Sequence, residues 1–243
     1  MTAPLRAITF DYWDTLVEGT VERERTQMRR GAFRELFAEL GHELSYEDVA
    51  VLHKDVARDL DRWWRDEQRG YRTEEAVTHL LSKRGIALPK DDERVVRTAR
   101  FIDHTLIEHP PELLPGAFDV LERLARRFRL AIVSDTGIAS GAAQDRVLEL
   151  RNIRRLFTAT IYSADIGWAK PRKEIFQAAL NELATPPAAT LHVGDIERTD
   201  IVGAIGMGMR AIRCDIVRVS GSSDAELVAT SLDEIADYLL AQP

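Results

Sequence analysis

The sequence predicts an α/β protein with a doubly wound, Rossmann-like parallel sheet and an inserted all-helical segment. Three observations support this prediction. Short apolar runs alternate with amphipathic helical patterns over most of the chain. One stretch near the N-terminus shows helical periodicity only. Polar side chains suited to chemistry follow directly after several apolar runs, and the carboxyl ends of parallel strands are where α/β proteins build their active sites.

Five apolar runs are predicted to be buried strands. They are Leu5–Phe10, Leu130–Ser134, Thr158–Tyr162, Thr190–Val193 and Arg210–Cys214. Most are followed by a helical pattern, an alternation that favours parallel strands joined by right-handed crossovers. The helices predicted in this part of the chain are Ala117–Phe128, Glu174–Leu183 and Ser231–Leu240, the last with Ser231 as its N-cap.

Residues 18–112 predict about four helices and no strand. Apolar side chains recur there at helical spacing, for example at Val95, Ala99, Ile102 and Leu106. We therefore predict two domains, an α/β core formed by 1–17 and 113–243 and a helical cap domain formed by 18–112. The cap is predicted to join the core through short connections, which suit hinges, so it is expected to act as a lid.

Composition narrows the classes of function. The 243 residues carry 33 basic and 40 acidic side chains, a net charge of -7, with no basic face that predicts nucleic acid as a partner. No window approaches the length of an apolar membrane span, and the N-terminus shows no secretion signal, so we expect a cytoplasmic protein without a membrane partner. The single cysteine, Cys214, has apolar neighbours and is predicted to be a buried structural thiol.

Four separated motifs contain the candidate site residues. The first is Phe10-Asp11-Tyr12-Trp13-Asp14-Thr15-Leu16, and the second is Ile132-Val133-Ser134-Asp135-Thr136. The third is Gly167-Trp168-Ala169-Lys170-Pro171, and the fourth runs from His192 through Gly194-Asp195 to Asp200. Together they supply an anionic nucleophile, carboxylate ligands for a divalent cation and fixed positive donors, which are the parts that phosphoryl transfer needs.

These motifs, in this order and with a helical insertion after the first, resemble the haloacid dehalogenase (HAD) superfamily. The resemblance implies a HAD-like core and a Mg²⁺-dependent phosphatase-type hydrolase acting on a small phosphorylated metabolite. It implies Asp11 as the nucleophile that forms an aspartyl-phosphate, with Lys170, Ser134 and Thr15 in the catalytic machinery. Ser134, Asp135, Lys170 and Trp13 are expected to contact substrate. Asp11, the carbonyl of Trp13 and Asp195 are expected at the metal, with Asp200 orienting a metal-bound water or capping a helix.

Trp13 departs from the family pattern, which has an acid/base Asp at this position. Indole donates a hydrogen bond but cannot transfer a proton, so we expect slow turnover of ordinary alkyl phosphates and a preference for good leaving groups. Asp14 lies one residue beyond the acid position, where the family has Gly. It is expected to hold local N–H groups of the turn rather than to act as the acid.

Several alternatives stay open at this point. The 2-haloacid dehalogenases have an aromatic residue at the Trp13 position, so displacement at carbon by Asp11 is one alternative, although Asp195 counts against it. A Schiff-base mechanism on the cap lysine Lys54, as in the phosphonoacetaldehyde hydrolase branch of the superfamily, is another. The residues around Lys54 do not match that branch. A catalytically weak ligand-binding or interaction protein on a HAD scaffold is the third.

Cap residues and assembly are less well defined by sequence. Trp63, Trp64 and Arg65, with Arg58, Arg62 and Arg69, form either one wall of the pocket or, as we favour, a core tryptophan and a solvated basic face. His192 is interpreted as a packed strand residue. The protein is expected to be a monomer or a homodimer.

Overall fold

A central parallel sheet organises the molecule. The structure is a computed structural model that describes residues 4–19, 23–219 and 221–242. The strands are β1 (Ala7–Phe10), β2 (Arg129–Ser134), β3 (Ala159–Tyr162), β4 (Thr190–Gly194), β5 (Arg210–Cys214) and β6 (Leu227–Ala229). They lie in the order β3-β2-β1-β4-β5-β6, and every neighbouring pair is parallel. The predicted fold class is confirmed.

Helices cover the sheet and form the insertion. Their bounds are α1 (Arg23–Glu39), α2 (Tyr46–Arg65), α3 (Thr73–Ser82), α4 (Glu93–Glu108), α5 (Ala117–Ala125), α6 (Gly141–Leu150), α7 (Ser163–Ile166), α8 (Lys173–Leu183), α9 (Val202–Gly206) and α10 (Leu232–Leu240). A π-helical turn, Glu197–Ile201, leads into α9. None of the helices among the described residues is long and apolar enough to cross a membrane.

The five predicted strands are all present, with ends shifted by no more than two residues. The sixth, β6, was not predicted, because it is only three residues long and follows the polar stretch Ser222-Ser223-Asp224. Helix α6 was missed as well, since Gly141 and Gln144 interrupt its apolar pattern although both are buried. The predicted N-cap of α10 is confirmed, because the Ser231 side chain accepts a hydrogen bond from the Glu234 backbone N–H.

Four helices, α1 to α4, lie between β1 and α5, where the sequence predicted an all-helical insertion. They pack around a hydrophobic core of their own that includes Phe33, Val56, Val77 and Ile102. Helix α2 begins at a capping box in which Ser45 and Asp48 each accept the other's backbone N–H. Residues 20–22 of the predicted cap domain, and residues 1–3, 220 and 243 of the predicted core domain, lie outside the described residues.

The insertion contacts the core at two separate places. Helix α4 packs on α6 through a small cluster of Leu106, Ala139, Ala143 and Val147, with Trp13 against it. On the other side, the loop after α2 pairs with the loop before Lys170, with Gly70 N–H donating to the Gly167 carbonyl at 3.1 Å. A Cβ at Gly70 would clash with the Ser163 carbonyl, so glycine allows the two loops to approach this closely. A cavity lies between these two contacts.

Candidate active site

The cavity opens onto the carboxyl ends of the three central strands. Asp11 follows β1, Asp135 follows β2, and Asp195 follows β4. Since β1 lies between β2 and β4, Asp11 is at the centre of the three. The cavity has a volume of about 680 Å³, within the range of about 300–1,000 Å³ usual for small-molecule sites. The core supplies its floor and the insertion supplies its roof.

Asp11 is held in one orientation by its neighbours. Lys170 Nζ donates to its Oδ1 at 2.5 Å, and the Thr15 hydroxyl donates to its Oδ2 at 3.3 Å. Its backbone N–H continues the sheet by donating to the Val193 carbonyl. Burial raises the pKa of Asp11, although Lys170 opposes that effect. The result is a buried carboxylate with both oxygens near the cavity and a cation fixed beside it.

Lys170 belongs to a buried chain of polar contacts beneath the floor. Its Nζ also donates to Asp200 Oδ1 at 2.7 Å, which in turn lies 3.1 Å from His192 Nε2. The other ring nitrogen of His192 lies 2.8 Å from the Thr9 hydroxyl. Burial works against a charged amine, but Asp11 and Asp200 outweigh it and raise the pKa of Lys170 above its usual range. Lys170 therefore carries its charge at neutral pH.

Both carboxylate oxygens of Asp200 already accept hydrogen bonds within this chain of contacts. Its Oδ1 accepts from Lys170, and its Oδ2 accepts from the Ile196 backbone N–H at 3.0 Å and from the Thr199 hydroxyl. Burial alone would raise the pKa of Asp200, but Lys170 and His192 hold it below its usual range. Asp200 is thus placed to hold the Lys170 ammonium in position. The backbone N–H that donates to Asp200 lies at the start of the π-helical turn.

Asp195 differs from Asp200 in having an unused oxygen. It is 3% exposed, and its Oδ2 is buried with no hydrogen-bond partner among the described residues. The nearest cation is Arg218, with Nε at 3.7 Å from that oxygen. Burial, then Asp11 and Asp200, raise the pKa of Asp195. A Cβ at Gly194 would overlap the Asp200 side chain, so this glycine lets Asp200 lie under the strand end.

These residues suit a hard cation held by two carboxylates. Among the described residues, no three His, Cys, Asp or Glu side chains are arranged to hold a metal ion together. Magnesium usually keeps several waters and takes only one or two protein carboxylates, so this observation agrees with Mg²⁺ and disfavours an all-protein cage. The unpartnered Asp195 Oδ2 beside Asp11 is the position that a cation would neutralise, whereas Asp200 has no free oxygen.

The residues predicted to bind the phosphoryl group after β2 are already engaged. Ser134 is fully buried, does not line the cavity, and donates to Gln144 Oε1 at 3.0 Å. Asp135 lines the cavity, but its Oδ1 accepts the Lys170 backbone N–H and its Oδ2 accepts the indole N–H of Trp64 at 2.8 Å. Gln144 and Trp64 are partners that sequence did not suggest, since they lie on helices α6 and α2, 10 and 71 residues away along the chain.

Trp13 lies at the junction of core and insertion. Its ring lines the cavity, packs against the cluster formed by α4 and α6, and has the Arg25 guanidinium 5.9 Å from its centroid. Asp14 has a φ of 56°, which Asp tolerates better than most residues and which suits the Gly found there in the family. It accepts from the Gly19 N–H and from Arg218 Nη2, so it holds the turn together as predicted.

The insertion lines the cavity with one face of each of its first two helices. Thr26, Arg29 and Arg30 of α1, and His53, Lys54, Ala57, Leu60, Asp61 and Trp64 of α2, recur at the spacing of a helical face. Arg65 and Arg69 also line it, whereas Trp63 packs against the insertion's core, and the side chains of Arg58 and Arg62 are 69% and 61% exposed. The favoured interpretation therefore holds for Trp63 and for Arg58, Arg62 and Arg65, whose side chains are mostly exposed, whereas Trp64 and Arg69 form part of the cavity wall, as in the alternative interpretation.

A sequence signal for this face does exist. The apolar stripe of α2, which includes Val49, Leu52 and Val56, is buried in the insertion, and the cavity residues lie beside it rather than opposite to it. Periodicity alone does not show whether such a flanking stripe faces solvent or a second domain. His192 is fully buried in β4, as predicted, with the Phe176 ring edge-on to it at 5.3 Å.

The chain is similar in sequence to several characterised proteins. The chain is 33% identical over 97 residues to the pyrimidine 5'-nucleotidase YjjG of Escherichia coli K12, and this match spans 40% of the chain and 42% of that relative. It is 28% identical to protein CbbY of Cereibacter sphaeroides over 86% of the chain and 83% of that protein. The chain therefore spans less than half the length of YjjG and most of the length of CbbY.

Solved structures share the fold at low identity. A 2-haloacid dehalogenase from Pseudomonas syringae pv. Tomato DC3000 has a TM-score of 0.70 and 22% identity, covering 98% of both chains. The HAD-hydrolase YfnB from Bacillus subtilis, solved bound to magnesium, has a TM-score of 0.60 and 22% identity, covering 98% and 99%. The family model described as haloacid dehalogenase-like hydrolase matches residues 5–208. The chain therefore belongs to the family of haloacid dehalogenase-like hydrolases.

Proposed function

We propose that this protein is a Mg²⁺-dependent phosphatase-type hydrolase of a small phosphorylated metabolite. One observation carries the proposal. Asp11 is fixed by Lys170 and Thr15 beside Asp195, whose buried Oδ2 accepts no hydrogen bond from the described residues. A nucleophile, a cation and a carboxylate with an unused oxygen thus meet at the floor of one cavity. Phosphoryl transfer depends mostly on this kind of positioning and charge neutralisation.

Asp11 and Asp195 would hold Mg²⁺, together with the Trp13 carbonyl that the family resemblance implies. When bound, the ion supplies positive charge against the phosphoryl oxygens. Asp200 has a different role, since its oxygens are occupied by Lys170, Ile196 N–H and Thr199. Because it fixes the Lys170 ammonium next to Asp11, it acts as a positioning residue. YfnB, solved with magnesium, shows that a protein of the same fold takes this ion.

In the first step, a carboxylate oxygen of Asp11 attacks phosphorus and the bond from phosphorus to the ester oxygen breaks. The product is an aspartyl-phosphate, with Lys170 beside the charge on the transferred group. In the second step, water attacks that phosphorus, so that inorganic phosphate leaves and the Asp11 carboxylate is restored. The buried network below Lys170 keeps its ammonium in place through both steps.

Neither step finds a proton donor or acceptor at Trp13. The indole N–H donates a hydrogen bond but is not acidic enough to serve as a general acid, and the ring has no basic nitrogen that could accept a proton. Asp14, the nearest candidate, has its oxygens on Gly19 N–H and Arg218. The leaving oxygen must therefore depart without a proton from this position. Substrates with acidic leaving groups, such as aryl or acyl phosphates, are expected to react fastest.

A second candidate is displacement of halide at carbon by Asp11. The aromatic Trp13 on the cavity wall favours it, as does the fold shared with a 2-haloacid dehalogenase. Asp195 disfavours it, because displacement of halide by Asp11 through an ester intermediate needs no second carboxylate with an unused oxygen beside the nucleophile. We therefore rank it second.

One assay separates the two candidates. The purified protein is given 4-nitrophenyl phosphate, acetyl phosphate and 2-chloropropionate, each with Mg²⁺ or with EDTA. Asp11→Asn removes the nucleophile, and Asp119→Asn changes an exposed aspartate of α5 as a matched control. We expect phosphate release that needs both Mg²⁺ and Asp11. A phosphoryl adduct on the Asp11 peptide after acid quenching would identify the intermediate.

Other outcomes assign the site differently. Halide release that persists in EDTA and disappears in Asp11→Asn would replace hydrolysis of phosphates by dehalogenation. No turnover of any of these compounds by the wild type would support the third hypothesis, a ligand-binding protein on this scaffold. Equal loss of activity in Asp119→Asn would show that the assay reports folding rather than chemistry.

A further inference from the structure

The roof of the cavity carries positive charge that folding does not satisfy. Arg30 of α1 and Lys54 of α2 both line the cavity. Among the residues that the structure describes, neither has a carboxylate within 4.0 Å of its charged nitrogens, and Arg30 Nε is buried with no hydrogen-bond partner. A buried donor without a partner is destabilising, so an anion that satisfies the Arg30 guanidinium is favoured at this place.

The other cations of the cavity are committed. Lys170 holds Asp11 and Asp200, and Arg218 holds Asp14. On the roof, Arg65 pairs with Asp61 at 2.9 Å, and Arg69 pairs with Glu75. Arg30 and Lys54 thus differ from these cations because neither has a carboxylate partner among the described residues.

Acidic side chains are concentrated on the floor, where Lys170 and Arg218 are already paired with them. The five aspartates Asp11, Asp14, Asp135, Asp195 and Asp200 line the floor, whereas Asp61 is the carboxylate of the roof among the described lining residues. His53 lies beside Arg30 on the roof, where burial and then Arg30 and Arg29 lower its pKa to about 4. His53 is therefore neutral at pH 7 and adds no charge to the roof beside Arg30 and Lys54.

We propose that Arg30 and Lys54 form a second anion site, so that the ligand of this cavity carries a phosphate or carboxylate in addition to the phosphoryl group that faces Asp11. The inference rests on the proposed function for the end of the ligand at Asp11. Apolar side chains such as Leu60 and Ile138 line the same cavity and suit a spacer of carbon atoms between the two anions. The substrate class is then a phosphorylated compound with a distal anionic group.

Binding of phosphonates tests the site without requiring turnover. Pentylphosphonic acid carries one anionic group, pentane-1,5-diylbis(phosphonic acid) carries two, and 6-phosphonohexanoic acid has a carboxylate at the far end. Each is titrated calorimetrically, with Mg²⁺ present, into the wild type, Arg30→Gln and Lys54→Gln. Arg58→Gln is the matched control, since Arg58 is exposed on α2 and does not line the cavity.

We expect the wild type to bind at least one of the two-anion compounds at least about tenfold more tightly than pentylphosphonic acid. Arg30→Gln and Lys54→Gln should each lose most of that preference and keep the affinity for pentylphosphonic acid. The comparison of the two-anion compounds tells whether the second group is phosphate or carboxylate. Circular dichroism of each variant checks that it is folded.

Two results would overturn the proposal. One is equal affinity of the wild type for the compounds with one and two anions. The other is a preference that survives in both roof variants, or that Arg58→Gln removes to the same degree, since either shows a general charge effect. A preference that depends on Arg30 and Lys54 in a protein that hydrolyses no phosphate ester would support the second anion site and reject the proposed hydrolysis.

Discussion

The floor and the roof of the cavity differ in how their charges are satisfied. On the floor, Lys170 is 1% exposed and bonded to two carboxylates, and Asp200 has a donor on each oxygen. On the roof, Arg30 and Lys54 have no carboxylate partner among the described residues. The floor is a network completed by folding, except at Asp195. On the roof, Arg30 and Lys54 are left to pair with an anion of a ligand that enters the cavity.

This difference separates reaction from selection. Buried, mutually satisfied groups are held in place before a substrate arrives, which is what electrostatic stabilisation of a reacting group requires. Groups that folding leaves unsatisfied are the ones free to discriminate between ligands, because a site rejects a ligand that leaves its polar groups unpaired. Asp195 shares that property with the roof, and its missing partner is a cation rather than an anion.

The largest expected change comes from completing the floor with an acid. Trp13→Asp places a carboxyl group where the indole now lines the cavity, and general acid–base catalysis is worth about 10²–10⁴-fold. We expect kcat/KM to rise by about that factor for an alkyl phosphate and less for 4-nitrophenyl phosphate, whose leaving group needs little protonation. Phosphate release measured with both substrates checks this.

Trp13→Asn is the control for that variant. It loses the same packing against Leu106 and Val147 but supplies no acid. If asparagine accelerates the reaction as much as aspartate, the missing acid is not what limits this site, and the floor is complete without it.

Breaking the floor network should cost stability as well as activity. Lys170→Met leaves Asp11 and Asp200 buried without their cation, and removing one partner of a buried ion pair typically costs about 3–5 kcal/mol of unfolding free energy. Urea denaturation at pH 7 measures the loss, with the exposed Lys173→Met as the control. No loss beyond that of the control would show that the network is not coupled to folding.

The same variant has a defined pH dependence. The folded-state pKa of Asp200 lies below its usual range, so its contribution is present above the unfolded pKa and is lost as pH falls through the folded value. The difference between wild type and Lys170→Met is therefore expected to be largest near neutral pH and to shrink on acidification. A difference that grows toward low pH would contradict the assignment of Asp200 as an ionised partner of Lys170.

The contact between the two walls gives a smaller effect. Trp64→Phe keeps a ring for Arg65 and Arg198 to stack on but loses the N–H donated to Asp135, a bond to a charged group worth about 1.5–3 kcal/mol. We expect faster hydrogen exchange in α2 and a higher KM, with kcat changed less. Trp168→Phe alters an exposed tryptophan whose ring stacks with Arg172 rather than with α2, so it should change neither. Unchanged hydrogen exchange in α2 would mean that the hydrogen bond from Trp64 to Asp135 does not stabilise the packing of α2 on the core.

Sequence predicted the floor better than the roof for a physical reason. Asp11 and Asp195 each directly follow a short apolar strand, and topology brings strand ends together without reference to side-chain detail, whereas Lys170 and Asp200 were found through their motifs. The direct partners were less predictable, because Ser134 with Gln144 and Asp135 with Trp64 depend on how helices α6 and α2 are rotated. The bond to Gln144 takes up a hydroxyl that the motif suggested for phosphate.

The roof illustrates the limit of periodicity. A helical pattern identifies which residues of α2 share a face, but Trp63 and Trp64 are adjacent and one packs in the insertion while the other lines the cavity. Only the packing of the insertion on the core decides which is which. The short edge strand β6 escaped prediction for a related reason, since pairing with β5 rather than its own composition defines it.

The smallest expected effect lies where the floor meets solvent. Arg218 is 58% exposed and lies 3.7 Å from Asp195 Oδ2, the oxygen that we assign to Mg²⁺. Two unit charges at about 4 Å interact by about 1 kcal/mol in water, so a nearby guanidinium weakens cation binding by a few-fold at most. We therefore expect Arg218→Gln to tighten Mg²⁺ binding by about two- to fivefold, measured calorimetrically, whereas Arg218→Lys keeps the charge and should change it less. Weaker Mg²⁺ binding in Arg218→Gln would show instead that Arg218, through its ion pair with Asp14, helps to shape the floor. The loop after β5, which carries Arg218, would then belong to the floor network.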